Sequence, residues 1–176
     1  MKTARSIPAE AAPTTSFDEF FREWYPTVAR AMALIVRDLD HGRDIAQEGF
    51  TRLYVNWSEI NSPEHARNFV FKASINVARS HLRRRRPLEL VGLGSTELFG
   101  SVSDAGPASD DRILLAAALA RLSRRQRESV VLVDYLGYDA GTAGEILGLA
   151  APTVRVHLAR GREQLRSHLS ESKEER

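Results

Sequence analysis

Apolar residues recur at spacings of three and four through most of this chain, and that spacing most limits how it can fold. In the segment FDEFFREWYPTVARAMALIVRD, residues 17–38, the aromatic and aliphatic side chains would line one face of a helix. Residues 43–57, 64–86, 110–122 and 123–138 repeat this pattern. No stretch of the sequence alternates apolar and polar residues over the length of a strand, so the sequence predicts an all-α fold.

Two prolines set expected limits within these helices. Pro26 predicts a bend or a restart in the first helix, because its ring removes a backbone donor. Pro87 predicts the end of the helix over 64–86, because the residue before a proline avoids helical geometry.

The composition changes abruptly between residues 87 and 111, PLELVGLGSTELFGSVSDAGPASDD. This stretch holds four glycines, two prolines and five acidic residues, but no basic one, which is typical of a linker. The sequence therefore predicts two small helical domains joined by a flexible acidic linker, with domains at 17–86 and 112–169. A disordered N-terminal tail, 1–16, and a C-terminal tail, 170–176, complete the predicted organisation.

The net charge of +2 hides an uneven distribution along the chain. Residues 17–60 hold eight acids against five arginines, whereas 61–86 hold seven bases against one acid and include the run RSHLRRRR. Residues 112–169 hold nine arginines against five acids. Two basic blocks separated by an acidic one favour a nucleic-acid partner, because arginine neutralises backbone phosphates.

The segment DAGTAGEILGLAAPTVRVHLARGREQL predicts a helix-turn-helix. It reads as a short helix, a turn at Gly148 and a longer helix that opens near Pro152, a favoured place for proline. Gly144 would let the two helices approach closely. However, Gly141 and Gly144 each cost up to about 1 kcal/mol of helix propensity relative to alanine. Ala150, where a serine cap is usual, removes a further contribution of about 1 kcal/mol.

Composition and motifs also exclude several classes of protein. The chain has no cysteine, no signal-peptide core and no apolar run near the roughly 18 residues of a membrane span, which predicts a soluble cytoplasmic protein without membrane insertion. It contains no HExxH zinc motif, Walker loop or serine elbow. We therefore expect no catalytic activity, no metal and no cofactor.

Three segments in this order resemble the extracytoplasmic-function (ECF) RNA polymerase sigma factors of the sigma-70 family. They are RDIAQEGFTRLY, RNFVFKASINVARSHLRRRR and ARLSRRQRESVVLVDYLGYDAGTAGEILGLAAPTVRVHLARGREQL. The resemblance spans nearly all of 17–169 and implies a sigma2-like and a sigma4-like domain. It implies a protein that binds core polymerase and directs promoter-specific transcription initiation.

The resemblance also implies which residues carry these contacts. The first segment is similar to the family's core-binding helix, with polymerase contacts at Asp44, Gln47, Glu48, Phe50 and Tyr54. The second resembles the helix that melts the promoter and reads its minus-10 element, with DNA contacts at Asn76, Arg79, Arg83, Arg84, Arg85 and Arg86. The third resembles the minus-35 domain, with contacts at Thr153, Arg155, Val156, His157, Arg160 and Arg162.

The partners that the resemblance implies are macromolecular. They are the β′ clamp helices and the β flap of core RNA polymerase, promoter DNA, and an anti-sigma factor. The loop SEINSPEHA, residues 58–66, would help to capture a base flipped out of the melted strand.

Alternatives remain open at the level of sequence. TVRVHL also resembles the recognition helix of LuxR-type regulators, so a stand-alone transcriptional regulator is the second interpretation. Phe69 could wall an unpaired base, although core packing is the expectation. Core packing is likewise expected for Phe20, Phe21, Trp24, Tyr54 and Trp57, while some of Phe50, Tyr54 and Trp57 could instead cover a partner surface.

Overall fold

The structure is a computed structural model that describes residues 16–89 and 110–174, without the side chains of 84–89, 110–113 and 171–174. In the described residues it consists of helices and turns without strands, which confirms the all-α prediction. Seven α-helices follow one another in these parts: α1 Phe17–Val36, α2 Leu39–Val55, α3 Pro63–Glu89, α4 Asp110–Arg121, α5 Arg124–Val130, α6 Ala140–Leu147 and α7 Ala151–Glu174. A 3₁₀ turn, Trp57–Glu59, follows α2, and a π-helical turn, Val131–Tyr135, follows α5.

The first three helices pack around an apolar core. A capping box between Ser16 and Glu19 starts α1, and Asp38 caps α2 by accepting a hydrogen bond from the backbone N–H of His41. Gly42 of α2 meets the backbone of Ala33 so closely that a Cβ atom there would lie 2.6 Å from the Ala33 Cα. This small residue sets the tight crossing of α1 and α2.

The remaining four helices form a second group. Ser123 caps α5 through a capping box with Gln126, as the sequence predicts. Arg127 is buried and donates a 3.1 Å hydrogen bond to the Leu119 carbonyl, which ties α5 to α4. Burial lowers the pKa of this guanidinium to about 10, so it stays charged at neutral pH.

The two groups of helices pack against each other. Their buried apolar residues form one continuous cluster that runs from α1–α3 into the π turn and α6. Tyr138, between these last two elements, packs its ring edge-on to Phe71 of α3 at 5.8 Å between centroids. Burial raises the pKa of Tyr138 to about 12. Pairs of apolar and aromatic side chains therefore join the two predicted domains in this conformation.

Several expected helix limits differ in the structure. α1 continues through Pro26 without a restart, and α3 continues through Pro87 to Glu89. Pro87 lies only two residues before the end of α3 and removes only one of the last hydrogen bonds, so the last turn of α3 can still form. α2 begins at Leu39 rather than residue 43, because Asp38 supplies the cap. α7 extends to Glu174, into the predicted C-terminal tail.

The predicted second helix of the C-terminal part, 123–138, is also shorter than expected. α5 ends at Val130, and the chain then forms the π turn, in which the N–H of Leu136 donates to the Val131 carbonyl at 3.1 Å. Most of the predicted N-terminal tail and most of the predicted linker, residues 1–15 and 90–109, lie outside the described residues.

Candidate functional site

The predicted polymerase-binding residues lie on α2. Asp44 and Gln47 are exposed, and Glu48 is half-buried where it accepts a 2.6 Å hydrogen bond from Arg52. The Glu48 carboxylate also lies 3.7 Å from the His81 ring on α3. Gln47 and Glu48 follow Asp44 by three and four residues, and positions three and four apart share a helix face. The structure therefore brings Asp44, Gln47 and Glu48 together on α2.

Phe50 and Tyr54 differ sharply in exposure. Phe50 is 2% exposed, so its direct contact with polymerase is not possible in this conformation and its role is to pack the core beneath α2. Tyr54 is 64% exposed, which makes the expectation of core packing wrong for this residue. Its ring lies edge-on to Phe17 at 4.9 Å, and Val55 beside it is 75% exposed. Tyr54 and Val55 together form an exposed apolar patch at the end of α2.

The predicted minus-10 residues lie along α3. Asn76 and Arg83 are exposed, as is Lys72 between the buried positions Phe71 and Ala73. For Arg84, Arg85 and Arg86 the structure describes only the helical backbone. Lys72, Asn76 and Arg83 lie four and seven residues apart, so they share one face of α3 and give it a polar and basic stripe.

Arg79 departs from that stripe. Its side chain is only 19% exposed and donates hydrogen bonds to the carboxylate of Glu128 on α5 at 2.9 and 3.1 Å. In this conformation Arg79 is therefore not free to contact DNA. No feature of the local sequence could have separated it from the neighbouring arginines.

A shallow groove lies between α1 and the start of α3. It adjoins residues 58–66, which the sequence predicts as a loop, although the structure places residues 63–66 in the first turn of α3. It is lined by Phe20, Glu23, Trp24, Pro63, Glu64 and Arg67. The Arg67 guanidinium stands 5.4 Å from the centroid of the Trp24 ring and 5.1 Å from that of Tyr138. Phe69 packs against the core, in line with the expectation for it. Sequence reasoning missed Arg67 and treated Trp24 only as core, since their contact joins residues 43 positions apart.

The helix-turn-helix forms as predicted. Asp139 caps α6 by accepting hydrogen bonds from the hydroxyl and the N–H of Thr142 and from the N–H of Gly141, and these bonds hold the pKa of its carboxyl below the usual value. Gly148 ends α6 in the left-handed conformation, with φ of +66°. Glycine suits this conformation because it has no Cβ atom.

The start of α7 exposes most of the predicted minus-35 residues. Thr153, Arg155, Val156 and Arg160 are exposed, and His157 is half-buried. Val154 and Leu158 are buried and fix the rotation of the helix. Alternation between these buried anchors and exposed polar residues is the arrangement of a recognition helix.

Arg162 lies further along the same helix and forms an ion pair with Asp134. It donates a 3.1 Å hydrogen bond from Nε to the carboxylate of Asp134 in the π turn and contacts the second carboxylate oxygen as well. This pairing raises the pKa of Arg162. Arg162 thus lies on the expected helix but with an acidic partner.

Among the described residues, no helix is both long and apolar enough to cross a membrane. The candidate surfaces all lie on helices that pack into the two groups described above.

Two protein-family models match the chain. "Sigma-70 region 2" matches residues 20–87, and "Sigma-70, region 4" matches residues 112–165. These ranges contain α2 and most of α3 in the first case and the helix-turn-helix in the second.

Individual proteins that are similar to this chain are also sigma factors. Over 155 residues the chain is 31% identical to the RNA polymerase sigma-E factor of Streptomyces avermitilis, a match that covers 87% of this chain and 84% of that protein. It is 28% identical over 150 residues to RfaY of Xanthomonas campestris, but spans only 38% of that longer protein. The fold is similar to that of the sigma factor RpoE in its co-crystal structure with the anti-sigma factor NepR from Bartonella quintana. That similarity has a TM-score of 0.76 and 21% identity, covering 88% of this chain and 96% of RpoE.

Both sigma-70 regions are thus present in their expected order, on the helices that carry the exposed candidate residues. The chain belongs to the ECF RNA polymerase sigma factors of the sigma-70 family, which direct transcription initiation.

Proposed function

We propose that this protein binds core RNA polymerase through α2 and recognises promoters through α3 and α7. The observation that carries the proposal is the exposure of polar and aromatic side chains on these three helices, inside the two matched sigma-70 regions. Catalysis belongs to the polymerase in this account, and the site of action is the bacterial cytoplasm, where polymerase works.

The polymerase contact centres on Tyr54. Exposed tyrosines bury a large, rigid area at low entropic cost and are frequent energetic centres of interfaces. Gln47 and Asp44 lie about two and three turns earlier on α2 and supply a polar rim. The partner surface is the pair of clamp helices of the β′ subunit.

The minus-10 contact uses the exposed stripe of α3. The amide of Asn76 can accept from and donate to one base edge, and adenine is the base that an asparagine matches best. Arg83 and the three arginines after it would neutralise phosphates, which gives affinity without sequence information. The groove at Trp24 and Arg67 adjoins residues 58–66 and offers an aromatic and a cationic surface for an unpaired base.

The minus-35 contact uses the first turns of α7. In a helix-turn-helix, the N-terminal residues of the second helix enter the major groove. Thr153, Arg155 and Val156 are the exposed residues at that end, with His157 beside them. Arg160 and Arg162 lie a turn or more later and suit the phosphate backbone. We assign the β flap as the polymerase element that would hold this part of the chain.

An anti-sigma factor is a further partner that we propose. The structurally similar RpoE of Bartonella quintana forms a complex with the anti-sigma factor NepR. A protein of that class would compete with core polymerase or promoter DNA for the surfaces named above.

The test of the polymerase surface compares two tyrosine variants of the full chain. Tyr54→Ala removes the exposed ring on α2, whereas Tyr135→Ala removes a ring that is 48% exposed in the π turn. We expect Tyr54→Ala to weaken binding to purified core polymerase at least tenfold in a fluorescence titration, as for the loss of one interface centre. We expect Tyr135→Ala to bind as the wild type does.

The test of the DNA surfaces uses the polymerase holoenzyme formed with each variant. Asn76→Ala should reduce discrimination among minus-10 sequences, and Arg155→Ala should reduce discrimination at minus-35, whereas Arg30→Ala on α1 should change neither.

Loss of core binding in both tyrosine variants, or in neither, would contradict the assigned polymerase surface. Binding of duplex DNA without any association with core would favour the stand-alone regulator instead.

A further inference from the structure

The start of α7 carries an apolar strip among its polar residues. Pro152, Val156 and Ala159 are all exposed, and Val156 is 49% exposed. Positions three and four apart share a helix face, so these three side chains lie next to one another along α7. The apolar strip therefore lies on the same turns of the helix that we assign to promoter DNA.

Val156 is the outermost residue of the apolar strip. Val154 and Leu158 are buried and anchor α7 against the other C-terminal helices. Each of them lies two positions from Val156, which corresponds to roughly 160° around the helix axis. Val156 therefore points away from the packed side of α7.

The stability of the fold does not call for valine at this position. Valine is a weaker helix former than alanine, arginine or lysine, because its branched side chain loses rotamer freedom in a helix. The exposed side chain of Val156 also adds little to the apolar core, whereas Val154 in the same turn is fully buried. A branched apolar side chain at the outermost position of a recognition helix thus favours a role in contact.

Two arginines flank the apolar strip. Arg155 and Arg160 are both exposed, and they lie on opposite sides of the strip, each about 70° from its centre. Their long side chains can reach base edges and phosphates beside the helix. The short side chains of Pro152, Val156 and Ala159 let the helix backbone approach the floor of a groove. An apolar centre between two cationic edges matches a major groove, which has phosphates along both rims.

Only one of the four bases places an apolar group on the floor of the major groove. Thymine carries its C5-methyl group there, and an apolar side chain in contact with that methyl distinguishes thymine from the other bases. Cytosine, the other pyrimidine, presents an amino donor instead. The side chains of the apolar strip have no donor or acceptor, so they cannot form hydrogen bonds with any base edge.

We propose that Val156 is a specificity-determining residue that selects a thymine in the minus-35 element through the C5-methyl group of that base. The proposal rests on the proposed function, because it takes the first turns of α7 as the part of the protein that enters the major groove. Arg155 and Arg160 make the polar contacts on either side, and Val156 adds a contact that only a 5-methylpyrimidine completes. A 5-methylcytosine at the same position presents the same methyl group.

The experiment removes the methyl group from the DNA and leaves the protein unchanged. Holoenzyme formed from core polymerase and the full chain first selects promoters from a pool in which the minus-35 element is randomised. Each thymine of a selected minus-35 element, on either strand, is then replaced singly by deoxyuridine. Deoxyuridine keeps every hydrogen-bonding group of thymidine and lacks only the methyl. Competition against the unmodified promoter measures the loss of affinity at each position.

We expect one minus-35 thymine at which deoxyuridine weakens binding of the wild type about fourfold, the factor that corresponds to burial of one methyl group. Deoxyuridine in the spacer between the two promoter elements should have no effect. With Val156→Ala the thymine and deoxyuridine promoters should bind with closely similar affinities. Gln164→Ala changes an exposed residue about two turns further along α7 and should keep the wild-type preference.

A second measurement restores the methyl group on another base. Cytosine at the sensitive position should weaken binding of the wild type, and 5-methylcytosine there should recover part of the lost affinity. Val156→Ala should not distinguish cytosine from 5-methylcytosine.

Two results would overturn the proposal. One is a selected minus-35 element in which no thymine responds to deoxyuridine, a result that needs no protein variant. The other is an equal response in Val156→Ala and in the wild type, which would assign the methyl contact to another residue. Circular dichroism checks that Val156→Ala folds. Failure of the proposed function would be seen separately, as an absence of any sequence selection at minus-35.

Discussion

The backbone N–H of Leu149 donates a 2.9 Å hydrogen bond to the carbonyl of Gly144 across the turn of the helix-turn-helix. The two residues are so close that a Cβ atom on Gly144 would lie 2.5 Å from the Leu149 carbonyl oxygen. The obstacle is backbone and cannot rotate away. Gly144 thus sets the distance between α6 and α7, and with it the direction in which α7 presents Arg155.

Replacement of Gly144 by alanine should therefore destabilise the protein. We expect Gly144→Ala to lower the free energy of unfolding by about 1–3 kcal/mol, the usual range for overpacking, in urea denaturation. Gly141→Ala in the same helix is the control, because its Cβ would approach only a carboxylate oxygen of Asp139. That variant should lie within about 1 kcal/mol of the wild type, since alanine also favours the helix. Equal losses in both variants would contradict this assignment.

The pairing of Asp134 with Arg162 limits the charge that α7 offers to DNA. Asp134→Asn should release Arg162 and remove a nearby negative charge, so affinity for minus-35 duplex DNA should rise. One additional phosphate contact should steepen the dependence of log K on log salt by about 0.9. Fluorescence anisotropy titrations at several salt concentrations measure both quantities.

Asp40→Asn is the matched control for that titration. It makes the same change of charge and also breaks an arginine contact, to Arg43, but on α2. An unchanged salt dependence in Asp134→Asn, or an equal change in Asp40→Asn, would show that Arg162 does not contact phosphate.

Two serines should respond to alanine with opposite signs. Ser123 caps α5, so Ser123→Ala should lower the free energy of unfolding by about 1 kcal/mol. Ser74 is fully buried and its hydroxyl has no hydrogen-bond partner. Ser74→Ala should therefore raise the free energy of unfolding by roughly 1 kcal/mol, because it removes the cost of burying that hydroxyl. Thermal and urea unfolding of each variant decide the signs, and a loss of stability in Ser74→Ala would point to a hidden partner.

Acid should weaken the cap of the helix-turn-helix. Hydrogen bonds from Thr142 and Gly141 hold the pKa of Asp139 below its usual value. A lowered pKa in the folded state means that the stabilisation is complete above the unfolded pKa of about 4 and is lost as the pH falls through the folded value. Asp139→Asn keeps a capping side chain without that titration. Its melting temperature should therefore fall less than that of the wild type between pH 5 and pH 3, as circular dichroism would show; parallel curves would contradict the assignment.

Local features of the fold could be predicted from the sequence. Helical spacing, the cap at Ser123 and the turn at Gly148 depend on neighbouring residues, and the structure confirms each of them. The end of α3 could not be predicted, because a proline in a last turn costs little.

Long-range contacts explain what the sequence did not predict. Phe71 and Ile75 are buried on a second face of α3, because the helix packs against the helix-turn-helix as well as against α1 and α2. Arg79 differs from its neighbours through its hydrogen bonds to Glu128 and to the Leu147 carbonyl, which lie 49 and 68 residues away. The exposure of Tyr54 likewise depends on how α1 covers Phe50 and leaves the end of α2 open.

The most direct test of the central claim is transcription in vitro from a genomic promoter library, with purified bacterial core polymerase and with or without this protein. Core polymerase alone should give no discrete start sites. Addition of the protein should give defined starts that share upstream minus-35 and minus-10 motifs, together with co-elution of the protein and core. A protein that neither co-elutes with core nor redirects initiation would contradict the account.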